Sequence, residues 1–416
     1  MHLYLPSYTF FRRESRSMAM GLIIVGAALG MYLNFYFGNI GWNNILMFVS
    51  LLFLPNWDNL SKFHLPFVNR TFKAILIFQF ICIIYLLFTS MLLGHPSDWK
   101  TLIYILFTIF MLLGIMSQAK HDMAIMRIVF YSWIFSWICL VFCGISLGTG
   151  AYFIEFAKMH DGTGYQSILL DLTMAGNLYT LVVCSIFYLN HGKSKQTIAM
   201  IGIILSLIFI IILGKRTPLL VSICLIILYI LKFHGFTGKI KKSIVCYVGI
   251  LLIILMILVV KIQGLSEQIG LVWEHSIGGV LDMINGTSTT GAAAVARYKF
   301  RQWAYMYIEN NFTPFNYIFG AGFMTKWLDA PLLQAYLDMG IIGFCFYFYY
   351  VIVKPLRITF SKLSKNSLVF WGCALNFYNI LSAFNSGIPY GHVRWIPLIG
   401  LLLTIHYTRQ RELRQN

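Results

Sequence analysis

The chain has 416 residues, of which 59% are hydrophobic and only 11% charged, against the roughly one quarter charged that a water-soluble domain carries. That composition excludes a soluble globular enzyme. The net charge of +17 is read as topological rather than as a nucleic-acid footprint, because Lys and Arg gather on the cytoplasmic side of membrane proteins.

Apolar runs long enough to cross about 30 Å of hydrocarbon as helix recur along the chain, and strand-like alternation is missing, which predicts an all-α polytopic membrane protein. The opening "MHLYLPSYTFFRRESR" is polar and basic, and the apolar run behind it is long enough to remain as a span. No cleaved signal peptide is therefore expected, and the N-terminus is placed in the cytoplasm. Helices are predicted over 18–37, 43–56, 72–93, 101–117, 127–149, 167–190, 197–214, 217–233, 243–262, 331–353, 367–385 and 394–408. These make about twelve transmembrane helices in a single domain, residues 1–416, with both termini cytoplasmic. On that plan about two thirds of the Lys and Arg lie inside and most of the Asp and Glu outside. All eight Cys fall within predicted spans without a C-x-x-C pair, so neither a disulfide framework nor a zinc site is expected.

The connections carry the polar residues. Between the seventh and eighth helices, "LGKRTPLL" puts Lys215 and Arg216 at the outer boundary, against the prevailing charge bias. Pro218 suits the first turn of the next helix, whose unpaired N–H groups beside two cations make a candidate phosphate site; a pair that merely snorkels is the plainer reading. The segment 263–330 is the one long outer loop expected, and loops of that length in compact folds are functional or disordered. Its "AAAVARYKFRQWAYMYIENN" has the spacing of an amphipathic helix on the membrane surface, with Arg297 and Arg301 one turn apart. Contact with lipid headgroups would explain those Arg equally well.

The loop then closes through "FGAGFMTKWLDAPLLQAYLDMGIIGF". Gly320 and Gly322 allow a tight turn close to a ligand. Lys326 lies within the stretch. Asp329, just before Pro331, reads either as a helix cap or as a functional carboxylate. Asp338 enters the membrane, where an ionisable group is a functional candidate by default, and Gly340 with Gly343 would let helices pack closely. In the last outer loop, "FNSGIPYGHVRW" gathers Asn385, Ser386, Tyr390, His392 and Arg394, groups that suit either sugar binding or an interfacial belt. The loop at 150–166, with Glu155, Lys158, His160 and Asp161, followed by Asp171, is weighed in the same way.

The order of these features resembles the O-antigen polymerase and O-antigen ligase superfamily of bacterial envelope proteins. There a long extracytoplasmic loop carries an Arg, an aromatic amphipathic helix, a G-x-G turn, a polar residue, and then a G-x-x-G pair entering the next helix. Arg297 or Arg301, Trp303, Gly320 with Gly322, Asp329, and Gly340 with Gly343 stand in that order here. Arg216 with Leu220 matches the family's Arg-x-x-x-Leu in an upstream hairpin. The match covers residues 213–343, and beyond them it rests on topology. Ligases of the superfamily carry His where this chain has Asp329, so the resemblance points to a polymerase, with a ligase as the alternative within the superfamily.

The resemblance implies a membrane-embedded glycosyltransferase of the bacterial inner membrane, with its site on the periplasmic face. Its substrates would be oligosaccharides on undecaprenyl pyrophosphate, and a chain-length regulator and a flippase would be its expected partners beside membrane lipids. Arg216, Arg297 and Arg301 would stabilise the pyrophosphate, and Asp329 is the first candidate base, with Asp338, Glu309 and His392 behind it. Lys215, Trp303, Gly320, Gly322, Lys326, Asp338, Tyr390, His392 and Arg394 would bind substrate. No metal, other cofactor or nucleic acid is expected. A flippase or secondary transporter is the alternative of a different class, for which polar sites near the bilayer midplane and related halves would be expected.

Overall fold

A computed structural model describes residues 8–38, 40–92, 99–118, 123–151, 172–191, 193–213, 216–233, 292–384 and 386–415. Among the described residues every regular element is helical. In chain order these are α1 (Tyr8–Phe37), α2 (Trp42–Phe53), α3 (Trp57–Ser61), α4 (Arg70–Leu92), α5 (Trp99–Met116), α6 (Ile125–Gly148), α7 (Leu172–Leu189), α8 (Lys193–Ile212), α9 (Arg216–Phe233), α10 (Ala292–Asn311), α11 (Pro314–Phe319), α12 (Pro331–Phe348), α13 (Lys354–Thr359), α14 (Ser367–Ser382) and α15 (His392–Gln415).

A described helix stands at each expected segment except 243–262, which lies outside the described residues, as do the rest of 234–291 and residues 152–171. Among the described residues five stretches, Phe11–Phe37, Arg70–Phe88, Ile125–Gly148, Lys195–Ile212 and Pro331–Thr359, are long and apolar enough to cross a membrane. The second expected span is shorter than its sequence suggests: α2 has 12 residues, about 18 Å at 1.5 Å per residue, and it packs against α1 and α5. At the other extreme α1 begins ten residues before the predicted start and takes Arg12, Arg13 and Arg16 into the helix.

α7 lies at the centre. It contacts α1, α6, α8, α9 and α14, and Leu178, Tyr179, Leu181, Val182, Val183, Cys184, Ile186 and Phe187 are all buried. Asn177, Thr180 and Ser185 of α7 are buried as well, and surrounding the helix with others keeps those polar side chains out of the lipid. Its polar contacts are closed inside the bundle. Tyr179 Oη donates to the Ala374 carbonyl, Trp133 Nε1 donates to Ser185 Oγ at 3.0 Å, and Trp371 Nε1 approaches Cys184 Sγ at 3.4 Å.

The two ends of the bundle differ chemically. At one end α1 meets the turns after α2 and α5: Arg12 pairs with Asp58 at 3.0 Å, and Glu14 pairs with Arg127 at 3.2 Å while accepting from Tyr131 Oη at 2.7 Å. Lys354 at the foot of α12 reaches Thr71 Oγ1, and Lys232 at the end of α9 donates to the Thr359 carbonyl at 2.6 Å. Between α12 and α13 the helix widens for one turn over Tyr349–Val353, just before Pro355, which has no N–H to continue the ordinary ladder. The opposite end holds the start of α12, the start of α15, and the pair α10 and α11.

Candidate functional site

The Gly-rich stretch at this end is a helix broken and recapped by its own chain. Within α12, Gly340 has φ 62° and ψ −158°, a backbone state that essentially only Gly adopts. The break frees carbonyls that an unbroken helix would use internally. The Gly320–Gly322 turn supplies the donors: Ala321 N–H reaches the Leu337 carbonyl at 2.7 Å and Gly322 N–H the Asp338 carbonyl at 3.2 Å. The two backbones touch reciprocally. A Cβ on Gly320 would lie 2.3 Å from the Asp338 carbonyl carbon and oxygen, and one on Gly340 would lie 2.3 Å from the Ile318 carbonyl oxygen. The G-x-x-G pair therefore serves a backbone break and its loop, not the packing of two continuous helices. Gly343 faces its own helix, where a Cβ would meet Met339 Cβ at 2.4 Å.

Asp338 closes the same loop from its side chain. It is fully buried and accepts from Gln334 Nε2 at 2.8 Å and Tyr390 Oη at 2.9 Å through Oδ2, and from Thr325 N–H at 3.3 Å through Oδ1. Gln334 Oε1 in turn accepts from Leu328 N–H at 2.9 Å. Burial pushes the Tyr390 hydroxyl well above its ordinary range, so it stays protonated and remains a donor, and its ring packs on Phe323 at 4.3 Å between centroids. Asp338 and Tyr390 bind each other, and Asp338 staples loop 320–330 to α12.

Asp329 is not a cap. Ala330 occupies the N-cap position of α12, and no side chain caps it. Asp329 has φ 52°, and its Oδ1 accepts from Gly387 N–H at 2.5 Å, joining the loop to the connection between α14 and α15. Arg394 organises that connection: Nη1 donates to Asn379 Oδ1 at 3.1 Å and to Ser382 Oγ, and Nη2 donates to the Ser386 carbonyl. Asp329 and Arg394 thus belong to one assembly, linked through Gly387, whose Cβ position would lie 2.8 Å from Arg394 Nη2. Leu332 N–H adds a second tie, to the Ala383 carbonyl at 3.1 Å.

α10 lies over this assembly. Ala304 packs with Leu328, Ala330 and Leu337 under Phe300, Trp303 and Tyr307. Lys326 Nζ sits 4.2 Å from the ring centre of Trp303 and 5.5 Å from that of Phe300, a cation–π arrangement, and Trp303 stacks on Tyr307 at 4.9 Å. Arg301, on the neighbouring face, donates from Nη2 to the Phe384 carbonyl at 3.1 Å. His392 lies apart from this cluster. Its ring packs between Tyr104 and Phe107 of α5, at 5.4 and 5.6 Å. The side chains of Arg216 and Arg297, which stand on described helix backbone, and the whole of Lys215 and Asn385 lie outside the described residues.

Beside the assembly runs an open groove of about 520 Å³, lined by Arg301, Tyr305, Leu333, Tyr336, Phe344 and Phe348 among others. Its wall follows both halves of α12, from Leu332 to Phe348 across the break at Gly340. The walls are aliphatic and aromatic, and among the described residues the one charged lining residue, Arg301, lies at the upper end. Such a surface suits an amphiphile with an anionic head and a long hydrocarbon tail. Sequence reasoning selected Arg301 but missed Tyr336, Phe344 and Phe384. The run Ile341, Phe344, Phe348, at i, i+3 and i+7, was the available signal for a shared face.

The fold and the site define a helical membrane protein with a charged, loop-covered site at one end. No family model matches the chain, and no curated protein matches it.

Proposed function

We propose that the chain is a surface-polysaccharide polymerase of the O-antigen type, acting at the periplasmic face of the bacterial inner membrane. The observation that carries this reading is the groove: a hydrocarbon-lined channel with the Arg301 guanidinium at its mouth, beside a loop that brings Asp329 next to the lining residues Ala330 and Leu332. An undecaprenyl pyrophosphate substrate has the matching shape, a long isoprenoid tail and a doubly phosphorylated head.

In the reaction, a hydroxyl oxygen at the non-reducing end of a new lipid-linked unit attacks the anomeric carbon of the growing chain. The bond from that carbon to the pyrophosphate oxygen breaks, and its electron pair leaves with undecaprenyl pyrophosphate. Negative charge grows on the leaving group, so a fixed guanidinium at that point lowers the barrier. Arg301 keeps part of its donor fork for phosphate while one Nη2 bond to Phe384 holds it in place. Arg216 and Arg297 are the further cations of this scheme. Asp329 is the base of this scheme, taking the hydroxyl proton, and alignment of the two substrates supplies much of the acceleration.

The test is a gel of surface lipopolysaccharide from a strain lacking the gene, complemented with the wild-type chain, Arg301→Ala or Arg301→Lys. A wild-type ladder that collapses to core bearing a single repeat in Arg301→Ala, at equal expression, supports the reading. The expected loss of transfer rate is on the order of a hundredfold, with Arg301→Lys intermediate. A core bare of every repeat in the deletion strain would point to a ligase or flippase, and polymer accumulating on the lipid carrier would single out the ligase. An unchanged ladder would move the product to capsule or exopolysaccharide.

A further inference from the structure

α11 presents to its surroundings a surface that water does not suit. Phe315 is 66% exposed, Ile318 46% and Phe319 37%, and the chain from Asn310 to Thr325 contains no Asp, Glu, Lys or Arg. The side chains of Thr313 and Asn316 pair locally, and the one other polar side chain of α11, Tyr317, is 43% exposed, as suits the amphipathic ring that membrane interfaces favour. Thr313 N–H donates to Asn316 Oδ1 at 3.0 Å, Asn316 N–H returns to Thr313 Oγ1 at 3.4 Å, and Asn316 Nδ2 donates to the Gly320 carbonyl at 2.9 Å. At the other end Gly320 N–H closes on the Asn316 carbonyl at 2.7 Å. Local pairing of this kind lets so short a helix enter the edge of the hydrocarbon without leaving its end groups open.

The position of α11 agrees with its chemistry. The Ile318 carbonyl lies against Gly340, at the end of the nine-residue first half of α12, so α11 reaches roughly 13 Å along that helix from Pro331 at 1.5 Å per residue. Interfacial helices lie about 5–10 Å into the headgroup and acyl boundary. The neighbouring Ile341 and Ile342 of α12 are 44% and 53% exposed on a segment long and apolar enough to span. The exposed face of α11 therefore continues the hydrocarbon-facing surface of a span.

We propose that α11 is an interfacial anchor inserted among the acyl chains of the leaflet at the groove end of the bundle. The partner is membrane lipid, recognised by its hydrocarbon rather than its headgroup, and the inference is independent of the proposed reaction.

The experiment places a spin label at Phe315→Cys or Ile318→Cys in the full chain with its own cysteines replaced by Ala, reconstituted in phosphatidylethanolamine and phosphatidylglycerol nanodiscs. Asn310→Cys serves as the aqueous control and Ile342→Cys as the hydrocarbon control. The expected result is a Phe315 and Ile318 signature matching Ile342, with collisions favouring dissolved oxygen and accessibility to a water-soluble nickel chelate reduced several-fold relative to Asn310. A signature matching Asn310 would overturn the proposal. A photo-crosslinking residue at Phe315 in the chain with its cysteines intact gives a second measurement should cysteine replacement prevent folding. A lipid adduct supports the anchor, whereas an adduct to a second copy or to another protein, or no adduct at all, overturns it.

Discussion

Replacing Gly340 by Ala adds one methyl group at the point where two backbones meet. The native φ of 62° with ψ of −158° costs a residue with a Cβ about 1–3 kcal/mol. The new Cβ would also lie 2.3 Å from the Ile318 carbonyl oxygen and 2.6 Å from Phe319 N, against an ordinary contact of 3.4 Å or more. The obstacle is main chain, so the loop must move by about 1 Å. That movement strains the Ala321 and Gly322 bonds to α12, each worth about 1 kcal/mol. The sum is roughly 3–5 kcal/mol, which favours the detached loop by about a hundredfold or more. Limited proteolysis within residues 311–330 of the full chain in nanodiscs reads that population, since cleavage follows the open fraction when closing is fast. Gly148→Ala is the matched control: it ends α6, and its Cβ would meet nothing within 4 Å, so its effect should stay within about 0.5 kcal/mol. Equal cleavage rates for Gly340→Ala, Gly148→Ala and wild type would refute the account of the break.

Other outcomes follow from the same contacts. Tyr390→Phe removes one donor from Asp338 and leaves the Gln334 bond in place, so a loss of about 1–3 kcal/mol is expected in thermal melting. Asp338→Ala leaves Gln334 Nε2 and Tyr390 Oη buried without their acceptor and should melt lower than Tyr390→Phe; the reverse order would contradict the stapling role. Polymer transfer by the purified chain should survive EDTA, since cations already face the leaving group in the proposed scheme; loss of transfer restored by Mg2+ or Mn2+ would refute it.

Much of the helical plan was legible because composition and run length determine it: a run too apolar for water becomes a helix wherever its backbone must be paired internally. The amphipathic character of α10 was legible from the spacing of Trp303, Ala304 and Tyr307, and so was the association of the Gly320 turn with the entry to α12. What the Gly residues do was not legible. In sequence, Gly340 and Gly343 look like small residues between helices, and only the φ of Gly340 separates a packing motif from a break. Asp329 misled for a related reason. It precedes a helix-starting Pro by two residues, but its own left-handed backbone turns the carboxylate away from the helix end and toward Gly387. Asp338 announced itself as costly in a membrane, yet its partners Thr325 and Tyr390 are 13 and 52 residues away along the chain. No local pattern records such a pairing.

A broken helix within a membrane bundle is also how secondary transporters offer carbonyls and half-helix ends to an ion, so the break in α12 bears on the choice between the two classes. Here its freed carbonyls, Leu337 and Asp338, accept from the chain's own Ala321 and Gly322, and the start of the second half is pressed by the Ile318 carbonyl. Two carbonyls at the break are thus taken up by the chain itself, and the break also shapes the groove. On an unbroken helix Tyr336 and Ile341 would stand about 140° apart, five residues at 100° each, and the upper stripe of Leu332, Leu333 and Tyr336 would meet the lower one of Ile341, Phe344 and Phe348 only along Leu333 and Phe344, about 20° apart. With the break, both stripes line one groove beneath Arg301. Gly340→Ala is therefore expected to lose copurifying polyprenyl phosphates, read by native mass spectrometry, in step with its loss of protease protection. Protection lost while lipid retention stays intact would separate the groove from the break and leave the two stripes without a common cause.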